Sequence, residues 1–167
     1  MSQIAKDILI NKAISLFNEG RVEKSLKEAL VANKKYPNEP FIYNLLGVLY
    51  AKMESYSESI KNYSKAIKLN PKYFEAYNNI GVAYISCKKN NKAIEFFNRA
   101  IEINPSYAEA YNNRGNAFKE KKEFALALKS YKKSIQINPN FIDAISNAGI
   151  VYDIMNNSSK AETYFTK

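Results

Sequence analysis

The sequence predicts an all-α fold, a solenoid of antiparallel helix pairs, and three observations carry that prediction. One pattern recurs every 34 residues: Asn70-Pro71-Lys72-Tyr73-Phe74-Glu75-Ala76-Tyr77-Asn78-Asn79-Ile80-Gly81-Val82-Ala83-Tyr84 returns from Asn104 to Phe118 and again from Asn138 to Tyr152. Glycine and proline keep the same period, as Gly47, Gly81, Gly115 and Gly149 and as Pro37, Pro71, Pro105 and Pro139. Between these punctuators the apolar residues follow helical spacing, for example Tyr77, Ile80, Gly81 and Tyr84, then Ala93, Ile94, Phe97, Ala100 and Ile101. Self-similarity at this period means stacked copies of one supersecondary element, each burying its apolar face on its neighbours.

Taken in order, a divergent repeat covers about 6–39, followed by 40–73, 74–107, 108–141 and an incomplete 142–167, all in one domain over 1–167. Each repeat is read as two helices. Proline cannot continue a helix and the preceding Asn tolerates a turn, so Asn70-Pro71, Asn104-Pro105 and Asn138-Pro139 are joints between repeats. A glycine inside a helix costs roughly 0.5–1 kcal/mol relative to alanine, and close approach of the partner helix is the compensation. Ser59, Ala93, Ala127 and Ala161 are expected to meet the four glycines, with Tyr63, Phe97, Tyr131 and Phe165 filling the remaining space beside Tyr50, Tyr84, Phe118 and Tyr152.

Composition excludes several function classes. With 46% apolar residues and only five glycines and five prolines, the chain is too hydrophobic to be disordered and too poor in breakers to be β-rich. There is no apolar run long enough to span a membrane, and the first residues lack a signal-peptide pattern, so the expectation is a soluble, cytoplasmic protein with no membrane partner. The single Cys87 fits a reducing compartment. With no histidine, one cysteine and no phosphate-cradling glycine loop, neither a catalytic residue, a metal site nor a cofactor is expected, and these residues are not read as an enzyme.

Tyr77-x-x-Ile80-Gly81-x-x-Tyr84, followed by Ala93, Phe97 and Pro105, resembles the tetratricopeptide repeat (TPR) family over nearly the whole chain. The resemblance implies a right-handed superhelix whose first helices line a concave groove that binds polypeptide. It also implies glycine at the turn inside each pair, yet only Gly20 has it, and Glu54, Lys88, Lys122 and Asn156 stand there in later repeats. If those turns stay left-handed, each substitution costs about 1–2 kcal/mol, less for Asn156.

The net charge of +9 raises a nucleic-acid reading. From the second repeat onward, however, the first helices carry Glu54, Glu75, Glu109, Glu120, Asp143 and Asp153 against Lys52, Arg114 and Lys119, so the surplus lies outside the presumed groove. Nucleic acid bound to the basic outer face is therefore the weakest reading. A polar ladder remains: Asn79, Asn113 and Asn147 recur at one step, Asn44, Asn78 and Asn112 one residue earlier, and Asn116 a turn later. An amide both donates and accepts, so it can hold a peptide backbone without demanding a sequence. The competing reading is that these amides bond across the helix pairs. The ladder resembles the Asn-lined repeat domain of O-linked N-acetylglucosamine transferase, which implies an extended polypeptide ligand. Glu75, Glu109 and Asp143 stand where a carboxylate clamp would place lysine, so basic or neutral ligands are expected over acidic ones. The pattern stops at Lys167 inside a second helix. That leads to the expectation of an apolar seam at Ala161, Tyr164 and Phe165, of self-association through it, and of a longer parent protein, with a fused glycosyl- or sulfotransferase as the alternative.

Overall fold

The protein, seen in a computed structural model, is described over residues 3–165. Among these residues every regular element is helical: α1 (Gln3–Asn18), α2 (Val22–Lys35), α3 (Pro40–Lys52), α4 (Tyr56–Leu69), α5 (Phe74–Ser86), α6 (Asn90–Ile103), α7 (Ala108–Glu120), α8 (Phe124–Ile137), α9 (Ile142–Ile154) and α10 (Ser158–Phe165). The odd-numbered helices are the first members of the pairs. Two compact units divide the chain, residues 1–83 and 84–167, with the boundary inside α5.

The joints explain why Asn-Pro is used. Asn70, Asn104 and Asn138 end α4, α6 and α8 with extended backbone, the conformation a following proline imposes. Each Asn Oδ1 then accepts the backbone N–H two residues on, at 3.1 Å from Lys72, 3.1 Å from Ser106 and 3.2 Å from Asn140. One dipeptide thus stops a helix, turns the chain and satisfies an orphan donor.

The turns inside the pairs stay left-handed whatever residue occupies them. Gly20 has φ 75°, and Glu54, Lys88, Lys122 and Asn156 have φ 57°, 57°, 60° and 54°. Two backbone bonds hold each turn. After α5, Lys89 N–H donates to Tyr84 O and Lys88 N–H to Ile85 O, both at 2.8 Å; after α7, Glu123 donates to Phe118 O at 2.9 Å and Lys122 to Lys119 O at 2.8 Å. This Schellman closure pairs the last helical carbonyls, a gain that offsets the strain of a side chain at positive φ.

Gly47 and Gly115 do permit close approach, but the neighbour differs from the expected one. A Cβ on Gly47 would lie 2.4 Å from Tyr63 Cε1, and one on Gly115 2.4 Å from Tyr131 Cε1. The rings lie over the glycines, with the nearest atoms theirs and not those of Ser59 or Ala127. The aromatic side chain, wholly or nearly buried in both cases, is what the missing Cβ makes room for.

Unit 1 is built on Ile10, Ala13, Ala29, Ala32, Ile42, Leu45, Leu46 and Leu49. Unit 2 has one cluster around Ala127, Leu128, Tyr131, Ala148, Val151, Tyr152 and Ala161, and a smaller one of Ala93, Phe97 and Ala117. Ala161 is buried and Tyr164 packs against the larger cluster, so these two residues do not form the expected solvent-facing seam. The side chain of Phe165 and residues 166–167 lie outside the described part. Apolar surface is instead open on α9, where Ile142, Ile150 and Ile154 are exposed.

Candidate polypeptide-binding face

The first helices carry the amides in register, and within each unit the same bond recurs. In unit 1, Asn79 Nδ2 of α5 donates to Asn44 Oδ1 of α3 at 3.2 Å. In unit 2, Asn147 Nδ2 of α9 donates to Asn112 Oδ1 of α7 at 3.1 Å. The step is one repeat plus one residue, the offset between neighbouring faces of adjacent first helices. Asn79 and Asn147 are half-buried and use one N–H each in the bridge, which leaves Oδ1 and a second N–H of each amide for another partner.

The other sequence-predicted residues are placed as follows. Asn78 and Asn112 are buried, each 5% exposed. Asn113 is half-buried, and its Oδ1 lies 3.5 Å from Asn112 Nδ2. Asn116 is tied to the second helix, because the Tyr131 hydroxyl donates to its Oδ1 at 2.8 Å. Glu75, in the first turn of α5, is half-buried, while Glu109 and Asp143, in the first turns of α7 and α9, are exposed.

Three features escaped the sequence reading. Tyr73, read there as a staple onto its helix, hydrogen-bonds Asn44, and burial together with Glu75 pushes its phenol up to about 12. Val82 and Ile150, 42% and 41% exposed, share the 34-residue column of Asn116, so this column of the first helices is largely apolar; the signal was present in Val48, Val82 and Ile150. Arg114, counted above among the charges of the first helices, is a half-buried packing residue. Its Nη1 donates to Asn98 Oδ1 at 2.8 Å and its Nε to Ser130 Oγ at 3.2 Å, and it lies 5.2 Å from the Tyr111 ring centroid. Burial lowers its pKa.

Among the described residues no group of three or more His, Cys, Asp or Glu is placed to hold a metal ion, and no helix is long and apolar enough to cross a membrane.

Helix pairs in register, with the recurring polar side chains on the first helix of each pair, define a helical-repeat interaction protein. The chain belongs to the tetratricopeptide repeat family: the family's TPR repeat model matches residues 50–86 and 81–122, and its tetratricopeptide repeat model matches 108–141. It is similar in fold to MamA, at 27% identity over 92% of this chain and 90% of that one with a TM-score of 0.79. PilF of Pseudomonas aeruginosa superposes with a TM-score of 0.89 at 18% identity, over 97% of this chain and 74% of PilF. YrrB, described as a TPR protein with an unusual peptide-binding site, gives 0.69 at 23% identity over 93% and 80% of the two chains. No curated protein matches the chain. The chain is a tetratricopeptide repeat scaffold for protein interaction.

Proposed function

We propose that the first helices of each unit hold extended polypeptide by its backbone, through Asn79 supported by Asn44 in unit 1 and through Asn113 and Asn147 supported by Asn112 in unit 2. The observation that carries this reading is the pair of matching amide bridges. Each fixes an Asn side chain while leaving donor and acceptor capacity on it, which is the preorganisation that sequence-tolerant backbone binding needs. Adjacent helices lie roughly 8–10 Å apart and an extended chain advances roughly 3.3 Å per residue, so one amide serves about every third ligand residue within a unit. Glu75, Glu109 and Asp143 favour a basic or neutral ligand. Alanine at Asn79, Asn113 and Asn147 together should weaken a neutral-to-basic peptide selected from a displayed library at least tenfold, with roughly 1 kcal/mol of stability lost per bridge. Stability lost with affinity unchanged would assign the amides to repeat stacking alone.

We infer, as a second reading, that this chain is the recognition part of a longer protein, and a separate observation supports it. Ala108 is 5% exposed, and the Ser134 hydroxyl at the end of α8 donates to its carbonyl at 2.8 Å. Ile142, the corresponding residue one repeat on, is 74% exposed and borders a cavity of about 590 Å³ with Ile135, Ile145 and Tyr164. Further turns of α10 would cover it as the end of α8 covers Ala108, leading into more repeats or a fused transferase; pairing with a second copy is the alternative. A stop codon directly after Lys167, with a monomer in sedimentation equilibrium, would count against both.

A further inference from the structure

The turns that close α5 and α7 carry Lys88, Lys89 and Lys92 on one and Lys119, Lys121 and Lys122 on the other. Four of these, Lys88, Lys89, Lys92 and Lys121, line a single open surface depression of about 520 Å³ together with Asn90 and Asn91. Lys121 has a carboxylate partner, Glu123 at 2.6 Å, and the Lys92 ammonium lies 5.6 Å from the Tyr84 ring centroid. Lys88, Lys89 and Lys122 have no carboxylate partner among the described residues. Like charges gathered around one depression raise a positive potential there and attract an anion to it.

Two further observations separate this edge from a merely solvated one. Lys88 and Lys122 stand at the positive φ that Glu54 also adopts, so the backbone of this turn carries either charge unchanged and the cationic side chains are what distinguishes unit 2. Over the matching places the turns of unit 1 are balanced, with Glu19 against Arg21 and Lys52 against Glu54, and so is the turn after α7, with Glu120 and Glu123 against Lys121 and Lys122; the turn after α5 carries Lys88 and Lys89 with no acid, and Lys88 and Lys122 stand where unit 1 has Gly20 and acidic Glu54.

We propose that this lysine edge of unit 2 docks an acidic segment of a partner polypeptide. Its extent argues for a peptide over nucleic acid. A duplex presents a charge about every 1.7 Å along its axis and needs a longer basic track, whereas here the next turn holds Asp153, Asn156 and Asn157. Tyr84, the ring beneath Lys92, is not a free platform for base stacking either, since it is half-buried and already lies 5.5 Å from the Phe96 ring. A run of Asp or Glu presents separated carboxylates to Lys88, Lys89, Lys121 and Lys122, while Asn90 and Asn91 offer amides to its backbone.

The test uses the full chain and fluorescence anisotropy of a labelled glutamate-rich peptide, with a glutamine analogue as control. The expected result is tighter binding of the glutamate peptide than of its glutamine analogue, with the glutamate peptide weakened roughly tenfold or more by high salt and by the K88E/K89E/K121E/K122E variant. Glutamate already occupies this turn at Glu54, and circular dichroism verifies that the variant folds; K88Q/K89Q/K121Q/K122Q supplies a milder replacement. The Asn79, Asn113 and Asn147 alanine variant should lose affinity for the glutamine analogue and keep the salt-sensitive preference for glutamate, which keeps this proposal separate from the amide face. No binding by the parent, equal binding by the charge-reversed chain, or preference for a single-stranded oligonucleotide or anionic vesicles over a peptide of equal charge would each overturn it.

Discussion

The two units of this protein are built on one template and differ where that template leaves residues free. Gly47 under Tyr63 in unit 1 and Gly115 under Tyr131 in unit 2 would meet the same 2.4 Å obstruction, and the amide bridges measure 3.2 and 3.1 Å. These columns close the backbone or seat one helix on another, so a change in one repeat would break its fit to the next. Elsewhere the units diverge. The column of Leu46 and Ile80, both buried, holds Arg114 in unit 2, and the turn of Glu54 becomes that of Lys88 and Lys122. A repeat protein can therefore vary its chemistry at a column without moving its backbone.

The largest effect expected is from removing the ring that fills each glycine notch. Tyr63→Ala and Tyr131→Ala should each lose about 3–5 kcal/mol in urea unfolding. Tyr131→Ala should lose the more, since it also gives up the bond to Asn116. Equal losses would mean that this bond adds nothing to stability, and would sharpen the likeness of the units.

Alkaline pH probes the same rings. Burial pushes Tyr63 up to about 12 and Tyr131 upward as well. A phenol whose pKa is raised on folding contributes fully below the unfolded value near 10, and its contribution is lost as pH climbs through the folded value. Stability should hold steady from pH 7 to 9 and fall between about 10 and 12, by about 2 kcal/mol for Tyr63. Denaturant midpoints measured across that range check this, and Tyr63→Phe should blunt the fall.

Filling the notches tests them from the other side. Gly47→Ala and Gly115→Ala should each destabilise by roughly 1–3 kcal/mol, because overpacking against a fixed ring outweighs the gain in helix propensity. A stabilised alanine variant in either unit would break the equivalence.

Arg114→Leu should change stability by no more than about 1 kcal/mol in either direction, as the loss of two hydrogen bonds is set against the release of a desolvated cation. A larger loss would make Arg114 a keystone peculiar to unit 2. The smallest effect is expected at the turns. Glu54→Gly and Lys122→Gly should raise the denaturation midpoint by an amount corresponding to about 0.5–1 kcal/mol, and Asn156→Gly by less.

Much of the fold was legible because the chain repeats itself. The joints at Asn70, Asn104 and Asn138 depend on proline geometry and a local side-chain bond, and neighbouring residues suffice to read them. The candidate face was legible as a set of columns, but not in its bonding. That Asn116 is held by Tyr131, or that Tyr73 reaches Asn44, depends on distances between helices that no spacing along one chain conveys.

The sequence by itself determined the helical class, the period, the joints and the family, since each follows from short-range sterics and periodic hydrophobicity repeated often enough to be unmistakable. Only the tertiary structure decided that Glu54, Lys88, Lys122 and Asn156 remain left-handed, that tyrosine rings and not small residues lie over Gly47 and Gly115, and that Arg114 is half-buried among Asn98, Ser130 and Tyr111. Those outcomes are balances between a local penalty and a gain from packing or hydrogen bonding with residues distant in sequence or across a turn. Such a balance is struck only when the helices are in place.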